Sequence, residues 1–126
     1  MNDKKPALIP IYTSKGDAEA FLLYPYLFNR TGEWIGLVTP KREVYSVLGN
    51  FVGTLTNDPR IISKRATSTL KPRLKPPPKP QKVYPPATIP LARLMSDLSL
   101  STIDILMDAP ERLHPVDSGE QRQDMD

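Results

Sequence analysis

The sequence has no cysteine among its 126 residues. That excludes a disulfide framework and a thiolate metal site, and it fits a reducing compartment. It has one histidine, His114, beside Pro115 in the C-terminal tail. A lone histidine in a polar tail is a poor candidate for metal ligation or for general acid–base work, and the sequence points to no cofactor. No stretch of about 20 apolar residues occurs, and the start Met1-Asn2-Asp3-Lys4-Lys5-Pro6 lacks the apolar run of a secretory signal. The expectation is a cytoplasmic protein without a transmembrane segment, and peripheral membrane association stays open. Within the repeat region the carboxylates are scattered. Asp17, Glu19, Glu33, Glu43 and Asp58 fall mostly at predicted turns, and no loop gathers several of them. This distribution supplies neither a paired acid–base site nor an oxygen-ligand metal loop, so the reading is not an enzyme.

Proline is what the chain has in excess: fifteen in all, eight of them between residues 72 and 90. Charge is divided just as sharply. Residues 1–59 balance six Lys/Arg against six Asp/Glu, residues 60–93 carry nine basic residues and no acid, and residues 94–126 carry two Arg against eight acids. Segments of different physical kind are implied. The reading divides the chain into an N-terminal tail (1–7), a β-hairpin repeat domain (8–70), a basic proline-rich linker (71–90), an apolar C-terminal segment (91–109) and an acidic disordered tail (110–126).

The repeat is visible in two octets. Gly32-Glu33-Trp34-Ile35-Gly36-Leu37-Val38-Thr39 returns as Gly49-Asn50-Phe51-Val52-Gly53-Thr54-Leu55-Thr56. Extending the spacing of 16 or 17 residues marks turn positions at Gly16, Gly32, Gly49 and Ala66. Each marker lies between two short β-prone runs: Ile9 to Tyr12 and Ala20 to Leu23, Tyr26 to Phe28 and Trp34 to Val38, Val44 to Val47 and Phe51 to Leu55, then Ile61-Ile62 and Ser68 to Leu70. Two such runs about a glycine turn read as a β-hairpin. The fold class is therefore all-β, with four consecutive short hairpins. Gly36 and Gly53 fall inside strand patterns, where glycine marks a bulge, a bend or a close backbone approach. Trp34, Phe51, Tyr26 and Tyr45 recur at equivalent or paired positions and read as packing residues, with lining of a ligand groove as the alternative.

These units, Ile11-Tyr12 through Gly16, Phe28 through Gly36 and Val44 through Gly53, resemble the petals of the 4-fold β-flower proteins. The resemblance covers roughly residues 8–108. It implies a shallow pseudo-fourfold barrel of hairpins, similar in shape to the Tubby C-terminal barrel, followed by a proline-rich stretch and a short apolar segment. The family carries no established activity, so it implies no catalytic residue. The Tubby likeness implies at most a lipid surface, by analogy of fold.

The linker Lys71-Pro72-Arg73-Leu74-Lys75-Pro76-Pro77-Pro78-Lys79-Pro80-Gln81-Lys82 is predicted to be extended polyproline II, a semi-rigid spacer. Lys71, Arg73, Lys75, Lys79 and Lys82 are the candidates for contact with an anion or an anionic lipid. Pro77 through Lys82 also matches the PxxPx[KR] ligand pattern of SH3 domains. A nucleic-acid role is disfavoured, because Tyr84 is the only aromatic available there for base stacking. Beyond the linker, Leu91, Leu94, Met95 and Leu98 have helical spacing, and Ile103, Ile105, Leu106 and Met107 follow a cap-like Ser101-Thr102-Ile103-Asp104. That segment is expected to pack back on the repeat domain, with a partner- or membrane-binding helix as the alternative. The functional reading is a non-catalytic binding or scaffolding protein for an unknown protein or anionic surface, with an anionic-lipid-associated role as the second reading.

Overall fold

A computed structural model describes residues 7–65 and 71–115. The strands are β1 (Ile9–Tyr12), β2 (Ala18–Leu23), β3 (Tyr26–Asn29), β4 (Trp34–Val38), β5 (Glu43–Ser46), β6 (Phe51–Leu55), β7 (Ile61–Lys64) and β8 (Thr102–Asp104). A four-residue helix α1 (Ile105–Asp108) and a 3-10 turn (Pro110–Arg112) follow. All eight strands pair antiparallel in chain order, and the protein is an all-β curled half-barrel.

The first three hairpins are built alike because their turn chemistry is alike. The Gly16 N–H donates to the Thr13 carbonyl (2.9 Å), Gly32 to Asn29 (3.0 Å) and Gly49 to Ser46 (2.9 Å). Each glycine sits at a φ near +90°, the left-handed position that closes a three-residue hairpin loop. The side-chain oxygen that opens each loop, on Thr13, Asn29 or Ser46, accepts from the backbone N–H groups two and four residues on. This cap was legible as Thr/Asn/Ser three residues before each turn glycine, a signal the glycine spacing overshadowed.

The interior glycines do both things that glycines in strands do. Pairing shifts by one residue between Leu27↔Gly36 and Phe28↔Trp34, and between Val44↔Gly53 and Tyr45↔Phe51. The extra residues are Ile35 and Val52, directly before the glycines. Hairpin one has the same bulge at Glu19, before Ala20. A bulge bends its strand, and bends in register curl the sheet. A Cβ on Gly36 would lie 2.6 Å from the Tyr45 carbonyl oxygen, and one on Gly53 would lie 2.4 Å from that of Ile62.

Strand alternation divides the apolar residues into two cores. Leu27, Ile35, Val44, Val52 and Ile61 form one, together with Ile103, Ile105, Leu106, Ala109 and Leu113 from the C-terminal segment. Phe28, Trp34, Leu37 and Val47 form the other, with Leu74 and Val83 from the proline-rich segment packed against it.

Four expectations change here. The eighth strand comes from residues 102–104, paired with β7 through Ile62↔Asp104 and Ser63↔Ile103, so residues 65–101 lie between β7 and the strand that pairs with it. Ala66 and Ser68 to Leu70 are outside the described residues. The helix over 91–98 is absent, and that stretch carries neither helix nor strand, with Leu91 and Leu94 turned to solvent. The chain after Pro110 does not begin a tail: the 3-10 turn brings Leu113 into the core at 5% exposure, against Gly36. Residues 71–90, finally, are not a free spacer but lie bonded to the sheet.

Candidate binding surface along the proline-rich strap

From Leu74 to Leu98, every third residue is apolar: Leu74, Pro77, Pro80, Val83, Pro86, Ile89, Ala92, Met95 and Leu98. All but Pro86 are half-buried, and most residues between them are exposed. A period of three belongs to the polyproline II helix, which has three residues per turn and no internal hydrogen bonds. The exposure follows that period: one column lies on the sheet and two face out. Leu91/Leu94 and Met95/Leu98 are three apart, a spacing that serves either helix, which is why the sequence suggested the wrong one.

The strap is bonded at the turn glycines. The Leu74 N–H donates to the Gly49 carbonyl (2.8 Å) and the Val83 N–H to the Gly32 carbonyl (3.0 Å). A Cβ on Gly49 or Gly32 would stand 1.9 Å or 1.8 Å from the Leu74 or Val83 carbonyl oxygen. The next step of nine residues brings Ala92 to Gly16, but there the nearest strap atom to such a Cβ is the Ala92 methyl, at 3.9 Å. The strap instead meets hairpin one through the Tyr12 hydroxyl, which donates to the Pro90 carbonyl (2.6 Å).

The candidate cations divide into engaged and outward-facing. Lys71 pairs with Glu43 (3.1 Å) and lies 5.3 Å from the centre of the Phe51 ring. Its hydrogen bond holds the Glu43 carboxyl below the ordinary carboxylate value. Burial, with Glu43 beside it, raises the Tyr45 hydroxyl above the usual tyrosine value. Arg73 donates through Nε to the Leu48 carbonyl (2.7 Å). Lys75, Lys79 and Lys82 are exposed, Lys82 lying 6.0 Å from the Tyr84 ring centre. Pro77 and Pro80, the two prolines of the SH3-ligand pattern, belong to the inward column, so the face such a domain would read is turned to the sheet. Trp34 is buried in an edge-on contact with Tyr26 (6.3 Å) and bonds Gly36, while Phe51 is edge-on to Tyr45 (5.7 Å). These aromatics are packing residues.

One polar cluster was hidden in the sequence. Arg60, counted there among the nine basic residues of 60–93, is 3% exposed and pairs with Asp58 (2.7 Å). It also donates to the Ser14 hydroxyl (2.9 Å) and the Ser96 carbonyl (3.0 Å). Ser14 in turn donates through its N–H and hydroxyl to Asp104 Oδ2 (2.6 and 2.7 Å). Burial pushes the Asp58 carboxyl up, but the bonds from Arg60 and Thr56 outweigh it and hold the group below its usual value. The cluster ties hairpin one to β8 and the strap across the opening of the half-barrel. Residues 46, 90 and 36 positions apart meet in it, a juxtaposition no local pattern announces.

Two concavities flank these elements. A cavity of about 210 Å³ lies among Ser46, Asn50, Phe51, Arg112 and His114. A groove of about 480 Å³ lies between hairpin one and the strap, lined by Tyr12, Gly16 to Glu19, Arg30 and Ile89 to Leu91. Among the described residues, no group of three His, Cys, Asp or Glu is placed to hold a metal ion, and no helix is long and apolar enough to cross a membrane. No protein-family model matches the chain, and no curated protein or solved structure proves similar to it.

Proposed function

We propose that the protein is a non-catalytic binding or scaffolding module that meets its partner on the outer face of the strap. One observation carries this reading: Leu91, Leu94 and Leu100 are 95%, 102% and 92% exposed. Single exposed leucines are ordinary, but three within ten residues of a docked segment form the kind of apolar surface that marks an interaction site. The test is the triple variant Leu91→Ser/Leu94→Ser/Leu100→Ser. Its melting temperature should match the wild type, while partners cross-linked to the wild type in its native host disappear. An unchanged set of cross-linked partners refutes the assignment.

The hairpins are read as petals of a 4-fold β-flower, with β7 and β8 as the fourth. Support comes from the shared turn glycines, bulges and loop-opening caps of the first three. An experimental structure in which successive hairpins are not related by quarter turns about one axis would remove this reading.

A second reading is an anionic lipid surface, supported by the outward Lys75, Lys79 and Lys82. Each such lysine contributes about 1 kcal/mol near an anionic membrane. Salt-sensitive co-sedimentation with phosphatidylserine vesicles, lost when the three are changed to glutamine, is the expected result. Binding to duplex DNA with equal strength would point to the weaker nucleic-acid reading. The cysteine-free composition supports a cytoplasmic site of action.

A further inference from the structure

We propose that the exposed leucines of the strap pair two copies of this chain about a two-fold axis at Met95. The proposal rests on the binding-module reading and names the partner of that surface as a second copy. Leu91, Leu94 and Leu100 belong to one outward column of the strap, which Asp97 shares. Hydrogen bonds tie this stretch to the body of the protein at both ends and in the middle. The Pro90 carbonyl accepts from the Tyr12 hydroxyl (2.6 Å), the Ser96 carbonyl from Arg60 (3.0 Å) and the Leu100 carbonyl from Arg65 (3.0 Å). The leucines are therefore presented on a held backbone, and association has little besides side chains left to order.

The order of residues selects a second copy, because it complements itself when reversed, as an isologous contact requires. Arg93 and Asp97 stand two residues to either side of Met95, are exposed, and make no ion pair among the described residues. With the two segments antiparallel about that axis, Arg93 of each copy faces Asp97 of the other, and the pair occurs twice. The leucines fall into the same register. Leu91 lies four residues before the axis and Leu100 five after it, so Leu91 of one copy stands within one residue, about 3 Å along the chain, of Leu100 of the other. The two Leu94 side chains meet beside the axis. A parallel arrangement would instead set Arg93 against Arg93 and Asp97 against Asp97. An anionic membrane would leave Asp97, inside the leucine column, facing like charge.

The test is sedimentation velocity on the intact chain at roughly 5–500 µM, a range suited to a small interface of the transient class. A reversible shift from monomer to dimer is expected. Arg93→Asp and Asp97→Arg should each weaken dimerisation roughly tenfold, the scale of two exposed pairs turned repulsive. Leu94→Ser, beside the axis, should remove the dimer. All three side chains are exposed, so the melting temperature in dilute solution should hold. Mixed one to one, Arg93→Asp and Asp97→Arg should form a heterodimer as tight as the wild-type dimer, because both pairs are then again of opposite charge. A wild-type chain that stays monomeric throughout, assembly beyond a dimer, or a mixture no tighter than its components overturns the proposal. If the chain is monomeric while the triple leucine variant still loses its cross-linked partners, the two-fold assignment falls and the binding-module reading stands.

Discussion

Gly32 and Gly49 each satisfy two demands, and Gly16 only one. All three adopt a left-handed backbone, which costs an alanine about 1–2 kcal/mol. At Gly32 and Gly49 the methyl would also strike a strap carbonyl oxygen and push away the strap N–H that donates to the glycine carbonyl, about 1 kcal/mol more. Urea unfolding should therefore place Gly32→Ala and Gly49→Ala clearly below Gly16→Ala in stability; three equal losses would mean that the strap is not docked. Arg60 and Asp58 give the second residue-scale expectation. Asp58 is held below its ordinary value of 3.8, so the unfolded chain takes up its proton first as pH falls. The stabilisation is complete well above that value and is lost as pH drops through the lower folded one. Between pH 6 and 2 the wild type should lose more stability than Asp58→Asn, and parallel curves would show no linkage. Arg60→Met, which leaves the carboxylate half-buried and unpaired, should cost roughly 3 kcal/mol.

At the scale of elements, hairpins were legible and the strap was not. A glycine turn between two β-prone runs is a local signal, and the strands at 9–12, 26–29, 34–38 and 51–55 follow it closely. The strap's signal is also local, an apolar residue at every third position, but over 91–98 it coincides with helical spacing. Proline density upstream favours the three-residue period, because a chain that has entered polyproline II on a supporting surface can continue in it past the last proline. The columns can be tested. Val83→Ser, on the inward column beside Trp34 and Phe28, should cost about 1 kcal/mol or more from lost apolar burial. Leu94→Ser, fully exposed, should stay within about 0.5 kcal/mol. Equal effects would contradict the period-three docking.

At the scale of the molecule, one chain segment serves both cores. The strap covers the Trp34 core, and its continuation supplies β8, α1 and Leu113 to the core on the other face. The two faces should therefore unfold together. Trp34 fluorescence and far-ultraviolet circular dichroism are expected to give coincident denaturation curves, and a chain ending at residue 100 should lack a cooperative transition. A truncated chain that melts like the full one would separate the C-terminal segment from the fold.

The sequence by itself determined what depends on neighbours in the chain: the β class, the turn glycines and the bulge-prone positions. These follow from backbone sterics, and they need no partner to be expressed. Only the tertiary structure decided which strand pairs with β7, that Arg60 leaves the surface to bridge Asp58 and Ser14, and that the strap docks at two turns yet stands off at the third. Those outcomes turn on burial and hydrogen bonding between residues 25 to 90 positions apart. Such contacts form only once the sheet has curled.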